Sequence, residues 1–408
     1  MSPQLSLLSL LLLHIAILPS LQQKLSPVDL AALADIKSTL TDIPRSDFFS
    51  SWDFTSPDPC SSFAGVTCSL SRVTTLSLGT GFTDSPGLAG SLSPSISNLT
   101  SLTQLILFPG LVTGPIPPQL GQLSDLRVIS LTNNRLTGTI PTSFRSLKSL
   151  HTLDLSFNQL TGEIPPSLTS LPELKVLILA SNSLSGELPG VSTQLLHLDL
   201  KKNRLTGPLR SLPLTLRYVS LSDNSLTGPL NGLQSLSELV YLDLSMNKFN
   251  GPIPAQLFNP SLSSMFLQRN NLSGGLPSRF VGLTSSRSYG EGSIVDLSHN
   301  FLTGELSPIL AGAESLFLNN NRLIGAVPQE YIQSVLDGTT KTLYLQHNYL
   351  SKFPSKPGLV LPNTVSLCLT YNCMVPSIGM MSCPASAGGQ ISRPTSQCSA
   401  FKAHNSID

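Results

Sequence analysis

Four aspartates recur in one context, L-D-L-S or a near copy of it: Asp154, Asp199, Asp243 and Asp296. Paired carboxylates are the usual equipment for general acid–base work, and neighbouring strands would bring some of these together. The context is part of a phrase repeated along the chain, however, and no copy is marked out, so no catalytic residue is assigned. His151, His197, His299 and His347 have no Cys or Ser arranged as a nucleophile and no H-E-x-x-H. The stretch GTGFTDSPG, residues 79–87, is not a phosphate loop, because no G-K-S/T follows it. Six cysteines, Cys60, Cys68, Cys368, Cys373, Cys383 and Cys398, are spaced C-x7-C and C-x4-C-x9-C-x14-C. Those spacings match no zinc pattern, so neither metal nor cofactor is expected. The reactive residue types lead away from enzymology.

What repeats explains why. The phrase N-x-L-T-G-x-I-P begins at Asn134 and again at Asn158, 24 residues on. Alignment on L-x-L-x-x-N-x-L puts an asparagine in the same place of each unit. The series is Asn134, Asn158, Asn182, Asn203, Asn224, Asn247, Asn270, Asn300, Asn321, Asn348 and Asn372. An earlier unit has Gly110 in that place, and VTTLSLGTG is an irregular earlier one still, making about thirteen units in all. A period of 20 to 29 residues with this pattern is the leucine-rich repeat signature. In Leu153-Asp154-Leu155 the alternation is that of a short strand, leucines inward and Asp154 outward. The Asn three residues on can satisfy buried turn groups with its donors and its acceptor, so stacked copies form a ladder. Leu160 refills the core, Gly162 permits a tight turn, and Pro165 fixes an extended φ. One unit cannot bury its own leucines, so the repetition is the fold. The expected architecture is an α/β solenoid, a right-handed curved superhelix with a parallel concave sheet about 55 Å long.

The chain has 408 residues, 40% hydrophobic and 12% charged, with net charge +1. That near-neutral balance gives no general drive toward nucleic acid or acidic membranes. The apolar run from Leu5 to Leu18 is short for a membrane span and fits a secretory signal, and no later stretch suits a span. Cysteines confined to the two ends read as staples on end caps in an oxidising compartment. Asn98 and Asn271 head N-x-S/T sequons and are candidate glycosylation sites.

The extended phrases NQLTGEIP and NSLSGELP resemble the extracellular leucine-rich repeats of plants. Ahead of the array, Ser26-Pro27-Val28-Asp29 reads as a helix start, with Ser26 as cap and Asp29 near the positive end of the dipole. That start and SWDFTSPDPCSSFAGVTC are similar to the N-terminal cap of plant receptor-like and polygalacturonase-inhibitor proteins. Phe63 departs from the Trp common there, but supplies the same aromatic plug. The resemblance implies segments 1–22 (signal), 23–70 (N-terminal cap), 71–374 (repeat array) and 375–408 (C-terminal cap and tail). It pairs Cys60 with Cys68. The four later cysteines allow three connectivities, of which Cys373–Cys383 with Cys368–Cys398 is preferred here.

Outward strand positions then supply the candidate binding residues. Lys201, Lys202, Arg217 and Tyr218 form a basic patch for an acidic partner; Phe266, Arg269, Phe317, Tyr344, His347 and Tyr371 form an aromatic cluster of the interface type. The insert loops offer Arg287 and Tyr289 as further contacts. The resemblance implies a secreted, non-catalytic recognition protein in defence or development. Its ligand would be a protein, a peptide or a cell-wall polysaccharide, and its signalling partner a receptor kinase ectodomain. Inhibition of a secreted wall hydrolase is the alternative.

Overall fold

A computed structural model describes residues 24–79, 87–280, 288–354, 360–375 and 383–405. The expected signal segment, Arg287 and most of the 79–87 stretch lie outside the described residues. The chain is a curved right-handed α/β solenoid. Its concave wall is a sheet of fourteen strands in sequence order, from Val66–Ser69 to Ser366–Cys368. Only the first pair of this sheet is antiparallel; every later neighbour is parallel and in register. Each strand is about three residues long, so it contributes one buried leucine between two outward side chains, as at Leu153, Leu177 and Leu198.

Both lateral turns are set by the repeat phrase. The asparagine ladder runs unbroken through Asn134, Asn158, Asn182, Asn203, Asn224, Asn247, Asn270, Asn300, Asn321, Asn348 and Asn372. Each accepts through Oδ1 from a backbone N–H of the preceding repeat. Asn182 takes that of Leu160, Asn203 that of Leu184, and Asn224 that of Leu205, each at 3.0 Å. Asn270 takes that of Phe249, Asn300 that of Leu272, and Asn321 that of Leu302, again at 3.0 Å. Each Nδ2 donates to carbonyls of its own and the preceding turn, for Asn247 those of Leu221, Leu244 and Ser245. Burial along the ladder is not uniform. Asn182, Asn203 and Asn224 are half-buried, whereas Asn270, Asn300 and Asn321 are buried. The bonds are the same in both groups, so the partners and not the degree of enclosure define the ladder.

The residue before each of these asparagines is held in the left-handed region, φ between 53° and 58°. The L-T-G segment then forms a second set of strands, one sheet of four and another of seven. These pair in parallel, except where the cap strand Leu40–Asp42 lies antiparallel along the edge of the smaller sheet. Gln159 N–H to Leu136 and Thr161 N–H to Gly138 carry the bonding from one sheet to the other. Sequence reading saw only a turn in this segment, because a strand so short has no measurable alternation.

The N-terminal helix Pro27–Thr39 covers the first coil. Ser26 stands at its N-cap without a side-chain cap bond. Asp29 does more than meet the dipole: it is fully buried, accepts from Val73 N–H at 2.8 Å, and forms an ion pair with Arg72 at 3.0 Å. The plug is aromatic, with Phe63 stacked on Trp52 at 5.1 Å and Trp52 Nε1 donating to Ala64. Cys60 is bonded to Cys68.

At the other end the connectivity differs from the preferred one: Cys368 pairs with Cys383, and Cys373 with Cys398. The reason is which side each cysteine faces. Cys368 takes the outward place beside Tyr344, where the segment after Cys383 returns across the sheet. Cys373 follows the last ladder asparagine and meets helix Thr395–Asn405 instead. The longer units 270–300 and 321–348 absorb their extra residues outside the concave strands; the second forms helix Gln329–Leu336. Tyr289 is buried, not a contact residue.

Candidate ligand-binding face

The repeat fixes where side chains emerge. One outward column runs Asp154, Ile178, Asp199, Ser220, Asp243, Phe266, Asp296, Phe317, Tyr344 on successive strands. Aspartate therefore stands on every second strand from Asp154 to Asp296. Each uses Oδ1 in its own turn. Asp154 and Asp243 accept from the N–H and the hydroxyl of Ser156 and Ser245, while Asp199 and Asp296 accept from the N–H of Lys201 and Ser298. These bonds tie the end of each strand to the turn, which is a structural job. Of the second oxygens, among the described residues only that of Asp199 is engaged, by Lys201 at 3.0 Å. Burial raises the Asp296 carboxyl pKa, against the opposing bonds from Ser298 and the charge of Arg269.

The neighbouring column carries a ring stack. His197 lies 4.1 Å from Tyr218, and Tyr218 lies 4.3 Å from Tyr241 with planes 5° apart. Phe266 closes the row at 5.8 Å. Burial, aided by Asp199 and Asp243, pushes both phenol pKa values up. Burial pushes the His197 pKa down, so the imidazole is held toward its neutral form. Ser220, between Asp199 and Asp243 in the first column, is fully buried, and its Oγ has no hydrogen-bond partner.

Of the basic patch, Lys201 is neutralised by Asp199, which leaves Lys202 and Arg217 exposed at opposite edges of the sheet. Burial opposes the Lys201 charge, yet the carboxylate wins and its pKa is raised. The aromatic cluster divides. Phe266 belongs with the stack, Arg269 acts on Asp296, and Phe317 meets Tyr344 edge-on at 5.3 Å. His347 and Tyr371 are taken up by the C-terminal cap: His347 Nε2 reaches the Ala387 carbonyl at 2.9 Å, and Arg393 lies 4.5 Å over the Tyr371 ring. His197 and Tyr241 were missed as a set with Tyr218. The signal was there, since His197, Tyr218 and Tyr241 each stand immediately before the core-facing residue of their strand, Leu198, Val219 and Leu242.

Family comparison adds its own weight. The leucine rich repeat N-terminal domain matches residues 26–69, and leucine rich repeat models match 124–184 and 238–260. A comparison with curated proteins gives no significant match. Among solved structures, the ectodomain of the Arabidopsis thaliana receptor kinase GASSHO1/SCHENGEN3, in complex with CASPARIAN STRIP INTEGRITY FACTOR 2, is 28% identical at a TM-score of 0.67. The alignment covers 85% of this chain and 44% of that one. The PEPR1–AtPEP1 structure is 28% identical at 0.53, covering 79% and 52%. A plant ice-binding protein is 28% identical at 0.57, covering 82% and 97%. The chain thus spans about half the length of the two receptor ectodomains. It is a leucine-rich-repeat protein, of the type built in plant extracellular domains. No helix among the described residues is long and apolar enough to cross a membrane.

Proposed function

We propose that this protein is a non-catalytic recognition protein that binds an extended peptide, or a segment of a protein, along its concave face. The observation that carries this is the rigid, in-register run of outward positions from Asp154 to Phe317. Rigid aromatics beside charged groups lose little entropy on binding, which is what interface hot spots require. The aspartates that might have suggested catalysis are each committed through Oδ1 to a turn. Two neighbouring structures, GASSHO1/SCHENGEN3 and PEPR1, are of receptor ectodomains in complex with CASPARIAN STRIP INTEGRITY FACTOR 2 and AtPEP1, which supports the same use here. Secretion, glycans on the exposed Asn98 and Asn271, and a receptor kinase partner that relays the signal complete the reading.

Capture from wall-space extract tests it, comparing wild type with Tyr218→Ala/Tyr241→Ala and with Phe317→Ala/Tyr344→Ala. A peptide, ectodomain or hydrolase retained by wild type and lost with either variant supports the concave face. Partners retained equally by all three would remove the concave face from consideration.

A further inference from the structure

We propose that the ligand of this face is a cationic peptide in the polyproline II conformation, with positive side chains at every third residue set against Asp154, Asp199, Asp243 and Asp296. The inference rests on the concave-face reading above and adds the ligand's chemistry to it.

Spacing is the first argument. Aspartates on alternate strands are separated by two strand spacings, about 9.6 Å at the backbone and somewhat less inside the curve. A polyproline II helix advances about 9.3 Å per three-residue turn, so one side chain per turn meets every carboxylate in step. A β-strand peptide repeats a face every ~6.6 Å and would already be out of step at the second aspartate. The α-helical turn of about 5.4 Å fits no better.

Hydrogen bonding is the second. A polyproline II peptide has no internal backbone bonds and must find donors for its carbonyls. Tyr218 stands on the strand between those of Asp199 and Asp243, and Tyr241 on the strand of Asp243 itself, so both phenols lie beside the carboxylate row. Their raised pKa values keep both protonated, and each has one hydrogen to donate.

The third argument is what the free protein already does. Lys201 Nζ sits 3.0 Å from Asp199 Oδ2, an internal ammonium occupying one cation position of the row. Next to it, between Asp199 and Asp243, Ser220 Oγ is fully buried without a partner, although the carboxylates on both sides are in register with it. Once Lys201 swings aside, a ligand ammonium seated between them would donate to that oxygen. Lys201 then competes with the ligand and must swing aside, whereas for an acidic ligand Lys201 would be the main attraction.

The test uses the full chain and synthetic lysine–proline peptides of one composition, with Lys at every third position or at every second, titrated by calorimetry at low and physiological salt. The expected result is that the every-third peptide binds about tenfold tighter than its isomer. Asp154→Asn/Asp243→Asn keeps the Oδ1 bonds to the turns while removing the charges, and should weaken that peptide by about tenfold or more. Lys201→Met should tighten it. Equal binding of the two isomers, no binding of either, or weaker binding by Lys201→Met overturns the proposal. If the peptides fail while a wall-space partner is lost with Tyr218→Ala/Tyr241→Ala, this ligand class falls and the concave-face reading stands. If neither shows an effect, both fall.

Discussion

At the scale of single residues, the ladder asparagine carries more than its size suggests. Asn247 is 8% exposed, serves one N–H and reaches three carbonyls, all in places water cannot reach easily. Asn247→Ala strands these groups, and a loss of about 3 kcal/mol is expected in urea denaturation. Asn247→Asp should cost nearly as much, because a carboxylate cannot donate to Leu221, Leu244 and Ser245. Asp296 makes the opposite case. Its folded pKa lies above the unfolded one, mainly through burial, so its contribution to stability is complete below about pH 4 and is lost as pH rises through the raised value. Asp296→Asn keeps the bond from Ser298 and cannot ionise. The variant should therefore be more stable than wild type at neutral pH, with the difference closing below about pH 4 in a series of thermal melts. Stability kept in reserve at an outward carboxylate fits a residue retained for binding.

At the scale of elements, the strands and asparagine turns were legible because one letter at one spacing decides each of them. The position before the asparagine was not legible as left-handed. Asn133, Asp223, His299, Asn320 and His347 are types that tolerate it, but Phe157, Lys202, Met246 and Arg269 are not, and there the bonds around the position impose the conformation. The short units also held more than was read from them. The intervals from Asn182 to Asn203 and from Asn203 to Asn224 are 21 residues, three shorter than the opening ones, which is one 3₁₀ turn. No helical turn occurs between Leu168–Ser170 and Leu230–Leu233, although the 21-residue unit from Asn300 to Asn321 keeps one at Pro308–Leu310. The pairing inside the basic patch was not legible, because sequence counts charges without pairing them, and Asp199 lies two residues from Lys201. The N-terminal helix, in turn, is tied to the first long strand through the buried carboxylate of Asp29. Asp29→Ala would leave Val73 N–H without its acceptor and Arg72 without its partner, and a loss of about 3 kcal/mol is expected. Near-ultraviolet dichroism of Trp52 should report it, since that ring packs in the same cap.

At the scale of the whole molecule, stability is a sum of repeats and the contacts between neighbours, so the ends decide where opening begins. The last strand, Ser366–Cys368, has a parallel partner on one side only. On its other side the chain folds back, with Tyr371 N–H bonded to Ile391, Arg393 N–H to Asn372, and Arg393 Nε to Asn348. The Cys373–Cys398 bond closes that return over a separation of 25 residues, a loop whose closure stabilises by about 3–4 kcal/mol. Cys373→Ser/Cys398→Ser should therefore free helix Thr395–Asn405 and uncover the edge. Hydrogen exchange should show protection falling first at Ser366–Cys368, then at Thr342–Tyr344, with Val128–Ser130 unchanged. Tyr371 would lose Arg393, and the exposed edge should promote association at high concentration. A uniform loss of protection from Val128–Ser130 to Ser366–Cys368 would mean instead that the array opens as one unit. The cap would then act on the global equilibrium and not on its own end.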